Sequence, residues 1–424
     1  MVFRRLSRFM IAAALLASAL GPARAEAQSS PPPADQQLKD AQAEVDRLKR
    51  ELAEMRQQYD ERLTALEQKI AALAAAPPAP AAPEPLPPTP VGAAQSSKVF
   101  NPDIAVIGNF VGTAGHNPNS DQPTFGLDEV ETSFQAVVDP YARADFFLSA
   151  SPEGLEVEEG FLTFTSLPGG LLTKVGKMRA QFGKVNALHT HGLPWADRPL
   201  VTQNLVGGEE GISESGVSVS RLIPNKFMFL EATGEAYYGT SDVFQSTRRS
   251  KLAYVGHFRA YRDLTEGTNL DLGGSYAYGP AAATPESVLV GPDASTRLMG
   301  FDATFRYRPL RRAIYKRFMA RSELIWSRPH GAQVPVETAF GGYGSLEYQF
   351  ARRWYVAGRV DRSAHAFDAA LVDKGGSLAL SYWPSEFSQV RGQYRRTLYG
   401  DGVNANEFLF QFLFSIGAHG AHSF

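Results

Sequence analysis

The chain has 424 residues, 42 Lys and Arg against 44 Asp and Glu, a formal charge of −2 and no cysteine. That balance excludes the basic footprint of a general nucleic-acid binder, and the missing cysteines exclude disulfides, thiolate metal sites and cysteine nucleophiles. Past the N-terminal leader no apolar run reaches about 18 residues, so no helical membrane span is expected, while mean hydropathy is no guide to a barrel whose strands alternate.

Residues 1–25 read as a secretory signal. Arg4, Arg5 and Arg8 form a basic end, residues 9–20 an apolar run, and Ala23-Arg24-Ala25 a small-x-small cleavage site. This predicts export into the envelope of a Gram-negative-type cell. Residues 26–75 read as a periplasmic coiled-coil segment. Val45, Leu48, Leu52, Met55 and Tyr59 alternate spacings of three and four, and Leu63, Leu66, Ile70 and Leu73 resume the pattern one four-residue step later. That is a coiled-coil seam with a stutter. A lone helix gains little from such a stripe, so self-association is favoured over a single amphipathic helix. Residues 76–97 are rich in Pro and Ala and predict a stiff spacer, with a reach of roughly 65 Å at about 3.1 Å per residue.

From Lys98 to Phe424 the chain breaks into segments with period-two alternation. Phe408, Phe410, Phe412, Phe414 and Ile416 interleave with Leu409, Gln411, Leu413 and Ser415. Phe318, Ala320, Leu324 and Trp326 oppose Arg317, Arg321 and Glu323. Phe301, Ala303, Phe305 and Tyr307 oppose Asp302, Thr304 and Arg306. Trp354, Val356, Gly358 and Val360 oppose Tyr355, Arg359 and Asp361. A soluble sandwich alternates too, but these segments have the length of membrane-spanning strands. Tight turns are expected at 139–140, 167–170, 224–225, 263–268, 309–312, 352–353 and 384–385. Mostly longer loops are expected at 113–124, 151–154, 180–210, 239–249, 279–296, 328–336, 363–373 and 399–404. The expectation is a 16-stranded antiparallel outer-membrane β-barrel over 98–424, preceded by a short α-helical coiled coil. Both termini then face the periplasm, and Phe424 ends in phase with the last apolar face.

The run Thr173-Lys174-Val175-Gly176-Lys177-Met178-Arg179-Ala180-Gln181-Phe182-Gly183 resembles the strand end of the phosphate-selective porin O and P family. Met178 stands where that pattern has an aromatic and Gln181 where it has proline. Val157-Glu158-Glu159-Gly160-Phe161-Leu162-Thr163-Phe164 fits the preceding strand. The resemblance implies a trimeric diffusion channel.

If apolar faces meet lipid, the other parity lines the pore, since a charge on the lipid face costs about 2–4 kcal/mol at the midplane. That places Glu129, Glu131, Gln135, Arg143, Asp145, Lys177, Arg179, His257 and Arg259 in the lumen. Later strands add Arg306, Arg317, Arg321, Glu323, Glu347, Arg359, Asp361, Arg391, Gln393 and Arg395. Acids gather on the early strands and arginines on the late ones, which sets a transverse field and suits phosphate or carboxylate. The bland reading is that these charges pair between neighbouring strands and keep the lumen wet.

The longest loop, 180–210, is expected to fold inward. Three readings compete. It is a plug, packed through Leu188, Leu193, Trp195 and Leu200. Or it is a constriction, where His189, His191, Asp197, Arg198 and Gln203 touch solute. Or His189 and His191 hold a metal with Asp197, Glu209 or Glu210. His419 and His422 read as rim residues, and Arg308, Arg311, Arg312, Lys316 and Arg317 as a solvated turn. No Gly-x-Ser-x-Gly, His-Glu-x-x-His or phosphate loop occurs, so neither an enzyme nor a cofactor is expected; a Ser/His pair such as Ser213 with His191 leaves a barrel hydrolase open. The expected function is passive diffusion of small hydrophilic solutes, with the preference between anions and cations left open, through a homotrimer in outer-membrane lipid. The alternatives are a metal- or phosphate-specific channel and an envelope tether whose coiled coil contacts the cell wall.

Overall fold

The computed structural model describes residues 102–120, 124–152, 154–281, 294–331 and 337–417, with Gln57 and Thr64, both helical. The signal, the spacer, the rest of the coiled-coil segment, His419, His422 and Phe424 lie outside the described residues.

Sixteen strands follow one another: β1 (Asp103–His116), β2 (Phe125–Asp139), β3 (Ala142–Ser151), β4 (Gly154–Leu167), β5 (Leu171–Arg179), β6 (Ser213–Leu222), β7 (Phe229–Tyr237) and β8 (Ala253–Thr265). Then come β9 (Thr268–Pro280), β10 (Ser295–Tyr307), β11 (Arg317–His330), β12 (Ala339–Ala351), β13 (Trp354–His365), β14 (Asp368–Ser385), β15 (Ser388–Leu398) and β16 (Asn404–Gly417). Each pairs antiparallel with its successor, and β1 closes on β16 with Phe110 opposite Phe412. Closure satisfies every ladder and leaves no edge, which a sheet in hydrocarbon requires.

Two expected long loops are tight hairpins instead. Ser151 pairs with Gly154, and β13 ends at His365 only two residues before β14 begins. Ser363 and Ala364 continue the ladder against Asp373 and Val372, so the stretch read as loop 363–373 keeps its backbone paired. The turn expected at 384–385 falls at 386–387, because β14 and β15 pair as far as Ser385 and Ser388.

The expected alternation decides inside from outside. On β16 Phe408 and Phe410 are exposed, whereas Leu409, Gln411 and Leu413 are buried. Aromatic side chains stack across the outer face, as where Trp354 and Tyr382 have ring centroids 4.5 Å apart. The period breaks once with consequence. Phe147 pairs with Glu159 but Leu148 pairs with Val157, so Glu158 is the extra residue of a β-bulge. The bulge turns Glu158 and Glu159 both inward, and both are buried. The inner face is also not uniformly polar. Tyr237, Val255, Ala277, Leu298, Ile325 and Tyr343 point inward and are buried under the connection between β5 and β6.

Candidate functional site

The connection 180–212 crosses the lumen. It is first tied to itself. The Asn186 amide donates to the carbonyls of Ala180 (2.9 Å) and Ile212 (3.1 Å) and accepts from Ile212 N–H (2.8 Å), clamping the entry to the exit. Gly211 sits against this clamp at φ +65°, where a Cβ would lie 2.2 Å from Asn186 Oδ1.

It is next tied to the walls. Gly183 N–H donates to Ser275 Oγ of β9 at 2.9 Å, and the N–H groups of Lys184 and Val185 donate to Glu323 Oε1 of β11 at 2.7 and 2.8 Å. Lys184 Nζ reaches Asp271 at 2.9 Å. Farther on, Ala196 N–H donates to Gln393 of β15 (2.9 Å), and Leu200 N–H to Asp361 of β13 (3.3 Å). A short helix α1 (Leu200–Leu205) follows, and Asn204 donates to Asp373 of β14 at 2.8 Å. In a sixteen-strand barrel, β2 to β4 face β10 to β12. The loop's histidine touches β2 and β4, and its other anchors lie on β9, β11 and β13 to β15, with Glu323 of β11 straight across, so it bridges the lumen.

Between anchors the loop is apolar. Phe182, Leu193, Trp195, Val201, Leu205 and Ile212 are each no more than 2% exposed and pack on the inward Leu298, Ile325 and Tyr343. Trp195 meets Tyr343 edge-on at 5.3 Å, and the Arg359 guanidinium lies 4.8 Å from the Trp195 ring centroid. Burial at about 1.5–3 kcal/mol per large side chain offsets the cost of ordering the loop. The packing expected of Leu193 and Trp195 is present; Leu188 and Leu200 are half-buried.

Charge fixes the loop's two sides. Asp197 accepts from Arg359 (2.8 Å), Arg395 (3.0 Å) and Gln393. Burial works against its charge, but the two guanidiniums outweigh it and hold the carboxyl at about 2. Opposite, His189 Nδ1 lies 2.7 Å from Glu131 and 2.9 Å from Glu158, and its Nε2 2.7 Å from Glu159. Burial disfavours the imidazolium, yet bonds to three carboxylates outweigh that and hold its pKa well above the ordinary histidine value. His191 Nδ1 lies 3.5 Å from the same Glu131.

Several expected positions are corrected. Lys177 does not face the lumen. It stands opposite Gly160 and Ser215 on the outward parity with Val175, and pairs with Glu156 at 2.8 Å. On β5 the inward positions go to Lys174, over the inward Phe161 ring at 4.5 Å, and to Met178, buried among the loop's apolar side chains. Arg179 is buried, bonded to Glu158 and to the Glu210 carbonyl. Arg198 is buried as well. It donates to the carbonyls of Val185 (3.2 Å) and Leu188 (2.9 Å), and burial with the nearby Arg179 charge brings it down to about 10. Arg359 is covered by Trp195. The carboxylates beside His189 are the wall's Glu131, Glu158 and Glu159, not Asp197, Glu209 or Glu210. Ser213 Oγ donates to the Glu158 carbonyl and is not matched to His191.

The remaining candidates line the inner face. Arg143 pairs with Asp145 at 2.7 Å, Arg259 with Asp271 at 2.8 Å, and Arg306 lies 3.6 Å from Asp271. Arg391 bonds the uncharged Ser381 (3.1 Å) and Gln411 (2.7 Å). Arg321 is half-buried on the inward parity, as are Glu129 and Arg317. Sequence reading passed over Glu158 and Glu159 as site residues. The signal was present, since two successive acids in a strand break the alternation.

No family model matches the chain. An uncharacterized protein of Aquifex aeolicus is 29% identical over 387 residues, covering 78% of this chain and 81% of that one. The fold is similar to OprB of Pseudomonas putida (TM-score 0.53, 11% identity, 74% of this chain and 94% of that one). It is similar also to the anion-selective porin from Comamonas acidovorans (0.51, 10%, 74% and 98%) and to the trimer form of OmpT of Vibrio cholerae (0.51, 11%, 75% and 100%). The fold is therefore that of the outer-membrane porins.

Proposed function

We propose that the chain is an outer-membrane porin through which small hydrophilic solutes diffuse without energy input, past a constriction made by the inward loop 180–212. The observation that carries this reading is the loop's attachment to both walls, at Glu131, Glu158 and Glu159 on one side and at Arg359 and Arg395 on the other. A bridge across the lumen divides a passage that 16 strands would otherwise leave wide. Anchorage at several points fixes the size limit.

Selection by charge follows from the walls. Both walls carry acids, but Asp271, Glu323, Asp361, Asp373 and Glu407 of the late strands are engaged by the loop or by arginines, whereas Arg317 and Arg321 of β11 and Arg391 of β15 have no carboxylate hydrogen-bonded to them among the described residues. An anion would move along the arginine side. The likeness of Thr173–Gly183 to phosphate-selective porins supports this weakly, because two basic side chains of that run, Lys177 and Arg179, are committed to Glu156 and Glu158. The late-strand arginines would do the selecting. A homotrimer, with a periplasmic coiled-coil stalk that could reach the cell wall, completes the reading; the trimer form of the Vibrio cholerae structure supports the oligomer.

The test is the zero-current potential of the purified protein in a planar bilayer under a salt gradient. Stepwise conductance with anion preference is expected. No conductance overturns the reading and leaves the barrel as an anchor for the stalk.

A further inference from the structure

The acidic anchor of the loop has the composition of a metal site. Glu131 comes from β2, Glu158 from the β4 bulge and His189 from the loop, and one donor atom of each lies within 4.8 Å of the other two. All three are largely buried.

The orientation of His189 is what a metal ligand needs. Its Nε2 is 2.7 Å from Glu159 Oε1, so the ring proton there has a carboxylate acceptor. With that proton on Nε2, the Nδ1 lone pair faces Glu131 Oε2 at 2.7 Å and Glu158 Oε2 at 2.9 Å. Three acceptors then converge on one point, which either a proton on Nδ1 or a metal cation must fill. A histidine that presents one nitrogen to the centre and donates its other N–H to a carboxylate is the usual arrangement around protein-bound metals. One imidazole and two carboxylates make a three-ligand set that favours Zn²⁺-class ions over Ca²⁺ or Mg²⁺, which prefer all-oxygen shells. His191 Nδ1, 3.5 Å from Glu131 Oε2, is within reach as a fourth donor.

We propose that Glu131, Glu158 and His189 form a binding site for a Zn²⁺-class divalent cation, with Glu159 as the carboxylate that orients His189. The ion takes the place of the proton on Nδ1 and ties the loop to β2 and β4. The bulge is the device that makes this geometry, because in an unbroken strand Glu158 and Glu159 would point to opposite faces. The site rests on the loop's position in the lumen and not on conductance.

The experiment uses the full-length protein in detergent, stripped with chelator and titrated with Zn²⁺, with Co²⁺ absorption as a second readout. One tight equivalent per chain is expected. His189→Ala should abolish it, and the near-isosteric Glu159→Gln, whose side chain touches no metal, should weaken it about 10–100-fold. His365→Ala, which removes the separate His365–Asp373 pair, should leave it unchanged. Absence of stoichiometric binding, or equal binding in wild type, H189A and E159Q, overturns the proposal. Conductance measured alongside separates the readings: zinc binding without conductance defeats the porin and spares the site, and conductance without zinc binding does the reverse.

Discussion

Asp197, at the middle of the inward loop, lies 2.8 Å from the Arg359 guanidinium that rises from β13 beneath Trp195. Arg359 also holds Asp361 of its own strand at 2.7 Å, and Arg395 holds both Asp197 and Glu407. The loop is thus fastened to a prearranged set of charges. Removing the loop's carboxylate leaves each arginine one partner.

For that reason Asp197→Asn should be folded but weakened. The lost charged hydrogen bonds suggest a cost of about 2 kcal/mol, since bonds to charged groups contribute about 1.5–3 kcal/mol. Thermal unfolding in detergent should move down, and single-channel recordings should show added fluctuation. An unchanged trace and melting temperature would mean that the apolar packing alone places the loop.

The pH dependence of this latch has a definite sign. The Asp197 carboxyl is depressed to about 2 in the folded protein. Its contribution is therefore complete above the unfolded value of about 3.9 and is lost as pH falls through 2. The difference in unfolding temperature between wild type and D197N should stay constant from pH 7 to 5 and shrink below about pH 4. A difference that already vanished at pH 5 would contradict the assigned ion pairs.

The cysteine-free chain suits single-cysteine labelling. Arg321→Cys should react quickly with a charged thiol reagent, Phe412→Cys should not, and Arg359→Cys should react slowly because Trp195 covers it. Fast labelling of F412C with protection of R321C would reverse inside and outside.

Arg321 faces the lumen with no carboxylate hydrogen-bonded to it among the described residues. Arg321→Glu should shift the zero-current potential toward cations by changing the sign of one lumen charge, with little loss of stability. No shift would remove β11 from the permeation path.

Asn186 makes three hydrogen bonds that close the loop on itself. Asn186→Ala strands the Ile212 N–H at about 1–3 kcal/mol, whereas the Ala180 and Ile212 carbonyls keep the Phe182 and Ala180 N–H groups. Protease cleavage within 180–212 should appear in the variant and not in wild type.

Alternation in segments such as Phe408 to Ile416, together with the turns between segments, was enough to determine the strands, their number and the outward face, because the two faces meet surroundings of opposite polarity and a shift of one residue exchanges them. It also located the long loop and its two histidines. It misplaced Lys177, since β5 carries basic residues at both parities and only pairing with Gly160 and Ser215 fixes which is inside. It did not reveal what His189 meets. That depends on a bulge that turns two adjacent glutamates the same way and on a loop that brings its histidine to residues 30 and 58 positions away in the chain. Local periodicity reports the solvent each face sees. Convergence of distant charges is set by barrel closure and the packing of Trp195 and Leu193 in the lumen, and that only the tertiary structure decided.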